Sequence, residues 1–213
     1  TIRVFEFAKK NKIKNIYYAS SSSIYGDKGI YPTNENVAID QPISIYGVTK
    51  ICTESIAHYY YKIFKINSVG FRYFTVFGPY GRPDMSIFIF IKSILKRKRI
   101  YLNNNGKNFR DFTYIDNIIL YMFEVFIKTK NKKNFHYVFN IGGEKTISIN
   151  ALVKKLEIFI GLKAIKKNMP KIDLDPDFSL ANSRKIKKFI KKSFKHNFDY
   201  GLKETINWIK NYI

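Results

Sequence analysis

Tyr46 and Lys50 form a Tyr-x-x-x-Lys pair, and a run of serines, Ser20 to Ser23, lies upstream of them. Residues at this spacing on a helix share a face, so the phenol and the ammonium meet at one place. A phenol ordinarily ionises near pH ~10. A fixed cation beside it favours the phenolate and makes a proton acceptor usable near neutrality. A serine hydroxyl at the end of a neighbouring strand can then share the substrate's hydroxyl. Taken alone, the pair is better read as a packed tyrosine beside a solvated lysine. The surrounding sequence reverses that reading.

The elements that must position these groups are legible in outline. Ile2 to Ala8 reads as helix without a preceding cap, and Asn15 to Ser20 as a buried strand. Gly26 to Pro42 is a loop rich in Gly, Pro, Asn and Asp, followed by a helix from Ser44 to Phe64. Strand Asn67 to Phe74 leads into the loop Gly78 to Pro83, then a helix from Met85 to Lys98 and a short strand from Ile100 to Leu102. After the turn Asn103 to Gly106, Asp116 is expected to cap a helix over Asn117 to Lys128. Tyr137 to Ile141 is a strand. Ser148 caps a helix that stops at Gly161, and Leu202 to Tyr212 is the last helix. Strands separated by helices predict an α/β fold with a parallel sheet, whose sites gather beyond the carboxyl ends of the strands. Ser21 and Thr75 both fall there.

Composition bounds the function. The 213 residues are 46% hydrophobic and 17% aromatic, which is the make-up of a globular chain. The longest apolar stretch, Ile87 to Leu95, is interrupted by Lys92 and is short for a membrane span. No signal peptide is visible. The single cysteine, Cys52, excludes an internal disulfide and fits a reducing, cytoplasmic setting; its place after Lys50 is read as packing. The net charge of +22 would ordinarily suggest a polyanion partner, but the lysines are spread along the chain with many Asn and Ile. The expectation is therefore no nucleic acid and no membrane, with a small anionic substrate gaining from the field. No metal-ligand pattern is present.

Four stretches carry a resemblance in order: Tyr18 to Gly26, Tyr46 to Lys50, Phe71 to Met85, and Arg110 to Asp116. Together they resemble the extended short-chain dehydrogenase/reductase family of NAD-dependent nucleotide-sugar epimerases and dehydratases. The third is most similar to UDP-glucuronate 4-epimerases. The resemblance covers nearly the whole chain. It implies the C-terminal part of a Rossmann-type doubly wound parallel sheet with a smaller α/β substrate domain. Residues 1–77 and about 113–141 would be the remainder of the NAD-binding part, and 78–112 and about 142–213 the nucleotide-sugar part. The family's Gly-rich phosphate loop belongs to a first βαβ unit that is not in the sequence. The chain, which starts at Thr1, therefore reads as truncated by roughly 100 residues at its N-terminus, and as inactive alone for want of a pyrophosphate cradle.

The resemblance also implies roles. Ser21 is similar to the catalytic serine, Tyr46 to the base and Lys50 to its partner; these three and Phe74 would contact NAD. Ser22, Ser23, Thr75 and Arg82 would line the sugar site, and Arg110 would hold the diphosphate through its forked donors. Related dehydratases carry an Asp-Glu pair where this chain has Ser22 and Ser23, so dehydration is disfavoured. Three departures stand out. Asn103 occupies a position usually held by an aromatic near the uracil, the loop between Tyr25 and Tyr46 is slightly long, and a later Gly-Asp motif is eroded around Leu174-Asp175. The implied activity is 4-epimerisation of UDP-glucuronate to UDP-galacturonate through a 4-keto sugar, with a homodimer through helices that include Ser44 to Phe64. Alternatives are a UDP-glucose 4-epimerase, a UDP-glucuronate decarboxylase, or a non-catalytic remnant that binds sugar nucleotide.

Overall fold

A computed structural model describes residues 1–27, 29–172, 175–194 and 197–212. Its centre is a parallel sheet of β1 (Asn15–Ser21), β2 (Asn67–Tyr73) and β7 (His136–Ile141), in the order β1-β2-β7. The register sets Ser21 opposite Tyr73, and Tyr73 opposite Ile141, so the carboxyl ends of all three strands lie level. Helices α1 (Ile2–Lys10) and α2 (Ile45–Phe64) share one core, in which Phe5 and Ala8 meet Ala57 and Tyr60. Helices α4 (Ile115–Thr129) and α6 (Arg184–Ile190) share another with β2 and β7, through Val69, Phe71, Tyr121, Val125, Phe139, Ile186 and Ile190.

Strand β2 is buried along nearly its whole length, as a strand covered on both faces must be. Its polar side chains are all accounted for. Asn67 donates to Asn15, Ser68 bonds the His136 ring, and Arg72 pairs with Glu54. Gly70 has no side chain because the Tyr18 ring lies across it; an added Cβ would stand 2.6 Å from that ring.

The sheet hands over to shorter pairings at the strand ends. β3 (Thr75–Phe77) runs parallel to β6 (Phe112–Tyr114), and β4 (Arg99–Leu102) parallel to β9 (Ile165–Asn168). β5 (Phe109–Arg110) is antiparallel to β8 (Ile147–Ser148). Helices α3 (Ser86–Leu95), α5 (Ile149–Ile160) and α7 (Phe198–Tyr212) close a third apolar core around Ile91, Ile94, Leu102, Leu152, Leu156, Leu202 and Ile206.

The parallel α/β class is as expected from the sequence. Ser44 and Ser148 cap their helices by accepting from Gly47 N–H and Ala151 N–H, and α5 ends at a left-handed Gly161. Some expectations need correction. Asp116 is not the cap of α4: the helix starts two residues earlier than expected, at Ile115 after Tyr114, and Asp116 sits in its first turn, where a carboxylate suits the dipole. α7 begins at Phe198 rather than Leu202. Cys52 is exposed rather than packed. Of the eroded Gly-Asp pair, Leu174 lies outside the described residues. Among the described residues no helix is long and apolar enough to cross a membrane, and no group of three or more His, Cys, Asp or Glu could hold a metal.

Candidate active site

The site begins where β1 ends. Ser21, in extended backbone, caps a 3-10 turn over Ser22–Tyr25: its Oγ accepts from Ser23 N–H at 3.2 Å and donates to Ser23 Oγ at 3.1 Å. Alternation along the strand sends Ser20 the other way, where its hydroxyl donates to Glu54 at 2.5 Å. Helix α2 brings its first turn against this turn. Gly47 makes that approach possible, since a Cβ there would stand 2.6 Å from the Ser23 carbonyl oxygen. The neighbouring residue, Tyr46, is held at the turn with its side chain 48% exposed toward the open space beyond the strands.

One turn along, Lys50 donates from Nζ to the Ala19 carbonyl oxygen at 3.0 Å and lies 5.4 Å from the centre of the Tyr46 ring. The lysine thus ties α2 to β1 while placing its charge beside the phenol. Ser21, Ser22, Ser23, Tyr46, Phe74, Thr75 and Arg82 line one cavity of about 520 Å³. Lys50 stands behind it, outside the lining. Phe74 has two surroundings: it is buried with Ile24, Tyr25 and Ala181, and it also forms part of the cavity wall.

The two arginines are arranged differently. Arg82 is exposed and pairs with Asp84 through Nε at 3.1 Å, an ion pair that raises its pKa. Arg110 is mostly buried, pairs with Asp175, and donates to the Phe109 carbonyl at 2.8 Å. Arg110 does not line the Tyr46 cavity. It lines two adjoining ones, of about 200 and 220 Å³, and Thr75 is common to all three.

Several residues that hold the site were not singled out from the sequence. Glu54 lies one turn beyond Lys50 on the same face of α2 and is only 7% exposed. It takes a forked pair of bonds from Arg72 of β2, at 2.9 and 2.6 Å, besides that from Ser20. Burial disfavours the Arg72 cation, but the bonds to Glu54 and Tyr25 outweigh it and hold its pKa above the ordinary arginine range. Arg72 also donates to Tyr25 Oη at 2.9 Å, and Tyr25 donates to Asn140 of β7 at 2.7 Å. Burial, opposed by the Arg72 charge, pushes the Tyr25 phenol up to about 12, so Tyr25 is a structural donor and not a base.

A second buried carboxylate, Asp111, accepts from Gly143 N–H at 2.6 Å, Ala181 N–H at 2.9 Å and Glu144 N–H at 3.1 Å. Burial pushes its pKa up to about 6 against the pull of those donors. Asp111 thereby fastens the strand carrying Arg110 to the loops after β7 and before α6. The available signals were a charged residue inside an apolar strand for Arg72, and one helix face shared by Tyr46, Lys50 and Glu54.

The chain is similar to known proteins along nearly its whole length. The sequence profile described as the NAD dependent epimerase/dehydratase family matches residues 1–142. A UDP-glucuronate 4-epimerase of Thermodesulfobacterium geofontis is 36% identical over 214 residues, which cover 100% of this chain and 64% of that one. An uncharacterised protein of Methanocaldococcus jannaschii is 38% identical, over 98% of this chain and 63% of its own length. The crystal structure of UDP-glucuronic acid 4-epimerase from Bacillus cereus, in complex with UDP-glucuronic acid and NAD, matches with a TM-score of 0.91 at 33% identity, covering 99% of this chain and 66% of that one. The chain thus spans just under two thirds of the length of these relatives.

Proposed function

Because the chain belongs to the NAD dependent epimerase/dehydratase family, we propose that it carries the catalytic and sugar-binding part of an NAD-dependent 4-epimerase acting on a UDP-hexuronic acid, from UDP-glucuronate to UDP-galacturonate. The observation that carries this reading is the meeting of Tyr46 and the Ser21 to Ser23 turn on one cavity, with Lys50 held behind the phenol by the Ala19 carbonyl. The Bacillus cereus 4-epimerase, crystallised with UDP-glucuronic acid and NAD, supports the choice of sugar and cofactor.

The residues present fit the nicotinamide end of NAD. Tyr46, Ser21 and Phe74 face a cavity whose wall continues through Val76, Pro79 and Ile115, giving an apolar side for a planar ring. No Gly-rich phosphate loop occurs within the 213 residues, so the pyrophosphate end has no cradle among them. When bound, NAD supplies hydride acceptance and return at C4 of the sugar.

In the proposed reaction Tyr46 takes the proton of the C4 hydroxyl, which Ser21 orients, and later returns it. Lys50 holds its charge beside the phenol during both transfers. The 4-keto sugar must turn over between them, and the cavity of about 520 Å³ gives it room. Ser22 and Ser23 offer hydrogen bonds but no acid strong enough to expel water, which favours epimerisation over dehydration. A 4-keto hexuronic acid is a β-keto acid that loses CO₂ if its carboxylate aligns with the carbonyl. Thr75 and Arg82 are the groups assigned to hold that carboxylate out of line, Arg82 by exchanging Asp84 for it. Arg110 is assigned to the diphosphate. A homodimer through α2 belongs to the same reading.

The test is Tyr46→Phe made at the matching position of a complete homologous enzyme, since the 213 residues hold no pyrophosphate cradle. It should abolish turnover of UDP-glucuronate in the presence of NAD while sparing UDP-sugar binding measured by calorimetry; retained turnover overturns the base assignment. UDP-xylose as product would indicate a decarboxylase instead.

A further inference from the structure

We propose that the protein has a second ligand site, for a small oligophosphate anion, at the end of the sheet opposite Tyr46. A cavity of about 510 Å³ opens there, where the chain enters β1, β2 and β7. Its eleven described lining residues include five lysines, Lys9, Lys12, Lys14, Lys65 and Lys133, and no Asp or Glu. Lysine and arginine together make up only 38 of the 213 residues of the chain, so the cavity is richer in cations than the general bias supplies. Lys9 Nζ lies 4.0 Å from the centre of the Phe64 ring, and Lys65 Nζ donates to the Lys62 carbonyl at 2.9 Å. Lys12, Lys14 and Lys133 make no ion pair, side-chain hydrogen bond or ring contact with any described residue. Cations gathered without a carboxylate repel one another, and a bound anion relieves that repulsion.

The fold fixes the loops that carry these lysines. Lys12, Lys65 and Asn134 take left-handed backbone, with φ of 56°, 55° and 57°, just before the three strands begin. Asn67, 5% exposed, clasps the loops together. Its backbone N–H donates to the Lys14 carbonyl at 2.8 Å, and its side chain donates to Asn15 at 2.8 Å and accepts from Phe135 N–H at 3.1 Å. A ligand therefore meets loops already ordered, which lowers the cost of binding. The volume suits a small molecule, and three cations without partners suit several phosphate groups rather than one. None of the lining residues borders the Tyr46 cavity. The two lie at opposite ends of β1, whose seven residues span about 20 Å, so this site is independent of the UDP-sugar reading above.

Calorimetry with inorganic tripolyphosphate, at about 0.15 M salt to screen diffuse attraction, tests this on the chain as it stands. The parent should bind saturably, and the triple variant Lys12→Gln/Lys14→Gln/Lys133→Gln should bind about 10- to 100-fold more weakly. A second triple variant, Lys154→Gln/Lys188→Gln/Lys210→Gln, removes the same charge from exposed lysines outside the cavity and should bind as the parent does. All six side chains are exposed, so both variants keep the fold. Equal losses in the two variants mean that affinity follows net charge and overturn the proposal, as does a parent that binds no tripolyphosphate. An isotherm abolished by excess UDP places the anion at Arg110 and also overturns it. Displacement of tripolyphosphate by a single-stranded oligonucleotide that binds more tightly makes the surface a nucleic-acid site and overturns the small-ligand assignment. None of these outcomes bears on the epimerase reading.

Discussion

Glu54 is the side chain on which the geometry of the proposed site depends, although it does not line the cavity. It is buried, bonded to Arg72 twice and to Ser20 once, and so joins the helix of Tyr46 and Lys50 to the strand of Ser21. A buried pair of this kind gives little net stability over an apolar replacement, but removing one partner strands the other charge. Glu54→Gln should therefore cost about 3–5 kcal/mol in urea unfolding, because Arg72, 5% exposed, keeps its charge. The double variant Glu54→Gln/Arg72→Met should recover much of that loss. A single variant as stable as the parent would show that the pair is not closed in solution. Tyr46 itself announces its chemistry only through its neighbours: its type and spacing were readable in sequence, whereas the carbonyl that holds Lys50 was not.

At the scale of elements, the approach of α2 to the turn after β1 decides whether the serines and Tyr46 meet. Gly47 is the contact point, and nothing but hydrogen fits against the Ser23 carbonyl oxygen. Alanine ordinarily favours a helix over glycine, by about 1 kcal/mol. Here Gly47→Ala should instead destabilise, by about 1–3 kcal/mol, and weaken UDP-sugar binding, because the helix start must lift from the turn. A rise in melting temperature with unchanged ligand affinity would refute this. The long elements were legible because their signals are local: caps at Ser44 and Ser148, the left-handed Gly161, and apolar runs of strand length. The short strands β3, β5, β6, β8 and β9 were not, nor was α6. Each has between two and seven residues and is defined by a partner distant in sequence. The break at Phe74 shows the reason. The sequence reads as one strand through Phe74, but pairing passes from β7 to β6 there, and the cavity opens at the break.

The whole molecule responds to pH through groups remote from the site. His136 of β7 bonds Ser68 through Nδ1 at 2.7 Å, stacks on Tyr61 and lies 5.2 Å from the His58 ring. Burial, then the neighbouring His58, lowers its pKa to about 4; Lys185 and Lys62 act the same way and Glu54 opposes them. The folded protein thus binds this proton less readily than the unfolded chain, whose histidine titrates near pH ~6.5. The associated stability is fully present above that value and is lost as pH falls from about 6.5 toward 4. The ring is only partly buried, so solvent screening limits the effect to about 1–2 kcal/mol. Urea midpoints between pH 7 and 4.5 should fall more steeply for the parent than for His136→Gln; parallel slopes would rule the histidine out. Asp111 works in the opposite sense. Its raised pKa means that its contribution is present at low pH and declines as pH rises through about 6, which flattens the profile of the parent.

The sequence by itself determined the parallel α/β class, the helix that sets Tyr46 and Lys50 on one face, and the family. Those properties are written in residues near one another along the chain, where helical period, capping and turn chemistry act. Only the tertiary structure decided that Glu54 and Arg72 close on each other, that Gly47 must be glycine, and that Arg110 sits beside the Tyr46 cavity rather than in it. Each of these depends on the packing of segments far apart in sequence, where steric fit and the cost of burying a charge are set by neighbours that local pattern does not name.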